Sequence, residues 1–163
     1  MVAGIAGLRA SPWARALAVA SAVIALDQIT KQIVIGLVDR GDPHEIIFGF
    51  ELANVRNKGV AFGLLAGGEV PVLLITLGAL ALLLTYFAFH AHAPSLWLAV
   101  GLLCGGAVGN LVDRLRIDAV IDFLDPPMWP AFNLADVAIV AGVALLVLTL
   151  TAPQQAGSSA TRG

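Results

Sequence analysis

The chain has 163 residues, of which 59% are hydrophobic and 12% charged, and its mean hydropathy is +0.91. Soluble domains carry about 25% charged residues, so this composition excludes an ordinary soluble domain and predicts one compact integral membrane unit over residues 1–163. The net charge of -2, with no basic stripe, gives no reason to expect a nucleic-acid partner, and Cys104, the one cysteine, excludes an internal disulfide and a cysteine-based metal cluster.

A helix needs about 20 largely apolar residues to cross a bilayer. Four segments qualify, at about 13–37, 70–90, 95–112 and 133–151. In the first, Arg9 and Arg15 precede an apolar run in which Ala18-Val19-Ala20 imitates a signal-peptide cleavage site. The run continues to Leu26, so a retained helix is expected. Asp27 and Lys31 are spaced i,i+4 with the acid first, on one face. They read as a mutually neutralising pair at the outer helix end, or as a brace for a site.

Residues 38–69 are too long a connection for a simple turn. Ile46, Phe48, Phe50 and Leu52 alternate with Ile47, Gly49, Glu51 and Ala53, which predicts one or two strands of a small sheet at the membrane surface. Asn57-Lys58-Gly59 is a turn signal. The short apolar run 60–65 suits a segment lying in the interface. The second helix holds no charge. The turn after it carries His90 and His92, which with His44 make no ligand pattern, so neither a metal nor a cofactor is expected.

Asn110, Asp113 and Arg114 are spaced i, i+3, i+4 at the end of the third helix and share a face. Gly105, Gly106 and Gly109 allow a neighbouring helix to approach closely. Asp113 and Arg114 simply pair, or Asn110 and Arg114 offer directed donors to a peptide backbone or an oxyanion. Cys104, mid-helix, reads as an inert packing residue. The next connection contains Pro126, Pro127 and Pro130, which exclude a continuous helix, and Trp129 suits the headgroup level.

Asn133 and Asp136 have the spacing of a capping box at a helix start, so Asp136 is open to both a structural and a chemical reading. Asp122 has no capping explanation. It is a loop acid with apolar neighbours, or it is buried and its pKa is raised. Ionisable groups at a membrane border are costly and tend to mark function. A raised carboxyl beside an ionised one shares a proton and activates water; in that reading Asp122 is the acid and Asp136 the base. The tail 153–163 is expected to be disordered.

Four spans return both termini to one side. Arg9, Arg15 and Arg162 lie there, whereas all eleven acidic residues fall at the other side or at helix ends facing it. The positive-inside rule counts Lys and Arg alone, and six of these also lie on the acidic side. Those six read as site or loop residues, so the termini are placed in the cytoplasm.

Taken in order, Asp27-Gln28-Ile29-Thr30-Lys31, Asn57-Lys58-Gly59-Val60-Ala61-Phe62-Gly63, Gly109-Asn110-Leu111-Val112-Asp113-Arg114, Val120-Ile121-Asp122-Phe123 and Phe132-Asn133-Leu134-Ala135-Asp136 resemble the motifs of the lipoprotein (type II) signal peptidases. The resemblance covers nearly the whole chain except its ends. It implies a membrane all-α fold of four transmembrane helices with a small extracytoplasmic β-sheet and an interfacial helix. It further implies an aspartic endopeptidase of the bacterial cytoplasmic (inner) membrane that cuts diacylglyceryl-modified prolipoproteins just before the lipid-modified cysteine. Membrane lipids are expected as its surroundings, and a monomer as its state. By motif position, Asp122 and Asp136 match the catalytic pair. Asn57, Asn110, Arg114 and Asn133 match residues that contact substrate or hold the site, and Asp27, Lys31 and Asp113 take supporting roles. The rival readings are a small proton-coupled transporter and a non-enzymatic assembly subunit. A proton relay would spread carboxylates through the bilayer depth, whereas here they gather at one border.

Overall fold

The structure, a computed structural model, describes residues 10–59 and 69–152. The interfacial segment at 60–65 and the tail at 153–163 lie outside the described residues. Four helices form in chain order: α1 (Pro12–Leu37), α2 (Glu69–His90), α3 (Leu96–Ile117) and α4 (Leu134–Thr151). Each is long and apolar enough to cross a membrane. Ser11 caps α1 by accepting the Ala14 N–H at 3.2 Å, with Pro12 in the first turn, where its missing donor costs nothing.

α3 is the central helix, packed between α1 and α4, while α2 touches α3. The close approach depends on the expected glycines. A Cβ on Gly106 would run into the Ala135 carbonyl of α4, and a Cβ on Gly109 would stand 2.8 Å from Asp27 Oδ2 of α1. Helix backbones pack this closely in a membrane only where side chains are small, because lipid is as good an apolar solvent as a neighbouring leucine.

α3 runs one to two turns beyond the expected residue 112, through the polar cluster, and ends at Asp118 in a left-handed conformation. Three strands cover this end of the bundle: β1 (His44–Ile47), β2 (Phe50–Asn57) and β3 (Val120–Asp125), antiparallel in the order β1-β2-β3. The 46–53 alternation is not one strand. Phe48 and Gly49 both take positive φ, 50° and 78°, and make the tight turn between β1 and β2.

β3 is a further departure from expectation, since this stretch reads in the sequence as a connection. Val120–Asp125 pairs with β2, and its Phe123 packs on Val34 and Val38 at the end of α1. A second apolar cluster, around Ala16, Phe87, Leu96 and Val100, fastens α1, α2 and α3 at the opposite end.

Candidate functional site

The site forms where α1, α3, α4 and the β2-β3 ribbon meet. Its foundation is an ammonium group with all three donors used. Lys31 Nζ lies 2.8 Å from Asp27 Oδ2, 2.8 Å from Asp113 Oδ2 and 3.1 Å from Asn110 Oδ1. Lys31 and Asp27 are fully buried and Asp113 is nearly so. A charge this deep persists only when paired and hydrogen-bonded, and here one cation is held between two carboxylates. The expected Asp27–Lys31 pair is present. The expected alternative pairing of Asp113 with Arg114 is not: Asp113 turns to Lys31, and Arg114 donates to the Asn110 carbonyl at 3.4 Å.

Each carboxylate of this foundation also holds a second element. Asp27 Oδ1 accepts the Ala135 N–H of the first turn of α4 at 3.0 Å, where the helix dipole favours negative charge. Asp113 Oδ2 accepts the Ile121 N–H at 3.2 Å and so holds β3 beside Asp122. Gln28, to which the sequence reading gave no role, bridges Asp27, the Gly109 carbonyl and Asp113 Oδ1 at 3.2, 3.2 and 3.0 Å. Its position inside the first motif was the only signal.

Three asparagines carry the order outward. Asn110 accepts from Lys31 and donates to Asp136 Oδ1 at 2.8 Å. Asn133 spends one amide hydrogen on Asn110 Oδ1 at 3.0 Å and the other on Asp122 Oδ1 at 2.7 Å. Asn57 donates to Asp122 Oδ2 at 2.8 Å and folds its own turn by accepting the Gly59 N–H at 2.8 Å. The capping box is complete: Asn133 Oδ1 accepts the Asp136 N–H at 3.0 Å, and Asp136 Oδ2 accepts the Asn133 N–H at 3.2 Å. Asp136 is therefore a cap and a site residue at once. One residue, Asn133, touches both outer carboxylates.

The two outer aspartates differ in setting. Asp122 is buried on β3, and Asp136 is half-buried at the start of α4. Burial pushes the Asp122 carboxyl up to about 6; Asp136 adds to the rise, while the amides of Asn57 and Asn133 and the charge of Lys31 oppose it. Asp136 opens onto a groove of about 260 Å³ with apolar walls from Val72 and Ile75 of α2 and Ile139 of α4, and with Asn110 and Arg114 at its polar end. All nine residues singled out from the sequence thus gather at one end of the bundle, with Arg114 at the rim.

The fold is that of known membrane enzymes. A solved chain described as a bacterial membrane enzyme superposes with a TM-score of 0.73 at 31% identity, covering 85% of this chain and 94% of its own. A second, with the same description, gives a TM-score of 0.74 at 33% identity, covering 83% and 86%. The chain is thus a multi-pass membrane enzyme. The family described as Signal peptidase (SPase) II matches residues 19–152. A lipoprotein signal peptidase of Halothermothrix orenii is 40% identical over 136 residues, 83% of this chain and 94% of the relative. One from Paraburkholderia phymatum is 43% identical over 150 residues, 87% and 89% of the two chains. The chain belongs to the signal peptidase II family and is an aspartic peptidase; the transporter reading finds no support.

Proposed function

We propose that the protein removes signal peptides from diacylglyceryl-modified prolipoproteins, cutting just before the lipid-modified cysteine, with Asp122 and Asp136 as the catalytic pair. The observation that carries this reading is Asn133, which donates to Asp122 through its side chain and to Asp136 through its backbone. Asp122, with its carboxyl raised to about 6, begins as the acid, and Asp136 begins as the base.

Asp136 takes a proton from a water molecule as the water oxygen bonds to the scissile carbonyl carbon. Asp122 delivers its proton to the carbonyl oxygen in the same step. In the tetrahedral intermediate the amide nitrogen takes the proton from Asp136 and the C–N bond breaks. A hydroxyl of the intermediate returns its proton to Asp122, which restores the starting state. Asn110 and Arg114 stand beside Asp136 in the groove and would orient the peptide. Lipid chains of the substrate would lie along the apolar α2 wall, so partitioning into the bilayer sets the register of the scissile bond.

The sheet-bearing end is assigned to the extracytoplasmic face of the bacterial cytoplasmic membrane, with both termini inside and the protein a monomer. The test uses purified protein and a diacylglyceryl-modified precursor. Cleavage should proceed without added metal and fall by about a hundredfold to ten-thousandfold in Asp122→Asn and in Asp136→Asn. A variant of either kind that cuts at the wild-type rate refutes the pair. Reporter fusions at the C-terminus that signal from outside the cell would refute the orientation.

A further inference from the structure

A second polar cluster lies on the face of the sheet turned away from Asp122. Successive strand residues point to opposite faces, and Asn57 reaches Asp122, so its neighbour Arg56 points the other way. There Arg56 meets Gln32 and Ile35 of α1 and Asp113, Arg116 and Ile117 of α3 around a cavity of about 180 Å³. Among the described residues, Arg56 Nη1 is buried and meets no acceptor. Burial first, and the charge of Arg40 second, push the Arg56 guanidinium below its ordinary pKa, with Asp113 partly opposing them.

Asp113 offsets this cluster only in part, because its carboxylate is shared with Lys31, Gln28 and the Ile121 N–H. Arg116 is exposed and makes a 3.5 Å contact to Gln28 Oε1. Two guanidinium groups thus converge on one cavity, one of them with a buried donor left unmet. A buried donor without an acceptor costs about 1–3 kcal/mol, and more when it is charged, so the cavity favours an anion. Two planar forks suit the oxygens of a phosphate.

The surroundings indicate where the phosphate comes from. The cavity sits where α1 and α3 give way to strands, at the border of the apolar surface. Ile117 lines it, and Ile29, one turn from Gln32 on α1, is exposed. Guanidinium groups beside an apolar membrane surface attract an anionic lipid headgroup by charge and by paired hydrogen bonds to its phosphate. We propose that this cavity binds the phosphate of an anionic phospholipid through Arg56 and Arg116, with the acyl chains lying on the adjoining apolar surfaces of α1 and α3. The site is separate from the peptidase groove and does not depend on the peptidase reading.

Native mass spectrometry of the detergent-purified protein tests this with phosphatidylglycerol, phosphatidylcholine and inorganic phosphate. Phosphatidylglycerol should bind about tenfold better than phosphatidylcholine, and inorganic phosphate should not compete at millimolar concentration. Arg56→Gln with Arg116→Gln should bring the two lipids within about twofold of each other. Arg116→Gln alone, at an exposed position that leaves the fold intact, should lower the preference by about threefold. Arg15→Gln, at the other end of the bundle, should leave it unchanged. A preference that survives the double substitution, or that Arg15→Gln removes, overturns the proposal. Full competition by inorganic phosphate overturns the assignment to a lipid.

Discussion

α2 and α3 each have 22 residues and each is apolar enough to cross a bilayer, yet 6% of the spanning window of α2 is buried against 50% of that of α3. The more hydrophobic helix is the more exposed one, with mean hydropathy 2.4 for α2 and 1.6 for α3. In water this order would be reversed. In a bilayer, apolar surface gains nothing by leaving lipid, so burial goes to the helix that brings small residues and polar groups needing partners. α3 supplies Gly105, Gly106, Gly109, Asn110 and Asp113, all buried. α2 supplies an apolar wall for the groove at Asp136.

The largest break in that comparison should come from the polar core that α3 shares with α1. Lys31→Met leaves Asp27 and Asp113 buried without their cation and should cost about 3–5 kcal/mol, read as a lowered midpoint in denaturant titration of the detergent-solubilised protein. A loss below about 1 kcal/mol would mean that the two carboxylates find other partners.

Next in size is the close contact of α3 with α4. Gly106→Val drives side-chain atoms against the Ala135 carbonyl and should cost about 1–3 kcal/mol. It should also lower kcat/KM, because Ala135 adjoins Asp136 in the first turn of α4. Unchanged thermal stability would show that the α3–α4 contact is looser than described.

A smaller effect concerns pH. With Asp122 raised to about 6 and needed in its protonated form, kcat/KM should decline as a single-proton limb as pH rises through about 6. The Asn57 amide favours the ionised form, so Asn57→Ala should raise the Asp122 pKa and move the limb upward by roughly one pH unit. A limb that rises instead of falling through about pH 6 would reverse the assignment of acid and base. The smallest effect belongs to α2: Leu74→Ala, at a lipid-facing position, should change stability by less than about 0.5 kcal/mol, and a larger loss would show that α2 is packed more tightly than its exposure implies.

Much of the site was legible because its pieces are local. The i,i+4 spacing announces the Asp27–Lys31 pair, the i,i+3 spacing announces the Asn133–Asp136 cap, and the glycines before Asn110 announce a close helix. β3 was harder to read. Val120-Ile121-Asp122-Phe123-Leu124 is a short apolar run bounded by Asp118 and Pro126, the form of a buried strand, but a run this short between two helices also has the form of a loop with apolar neighbours. The partner of Asp113 was also hidden. Its neighbour Arg114 is the obvious partner in sequence, whereas its actual partner, Lys31, lies on another helix.

The sequence by itself determined the four membrane spans, the gathering of carboxylates at one border and, through five ordered motifs, the family. The spans and the gathering follow from composition and spacing, which act within a few residues, whereas the family followed from the resemblance of those motifs to known ones. Only the tertiary structure decided which groups touch. It put one ammonium between Asp27 and Asp113, used Asp113 to hold the strand that carries Asp122, and let Asn133 reach both outer carboxylates. Such contacts join residues as much as 108 positions apart, as with Asp27 and Ala135. Their physical cause is that buried polar groups must find partners wherever the packed helices bring them.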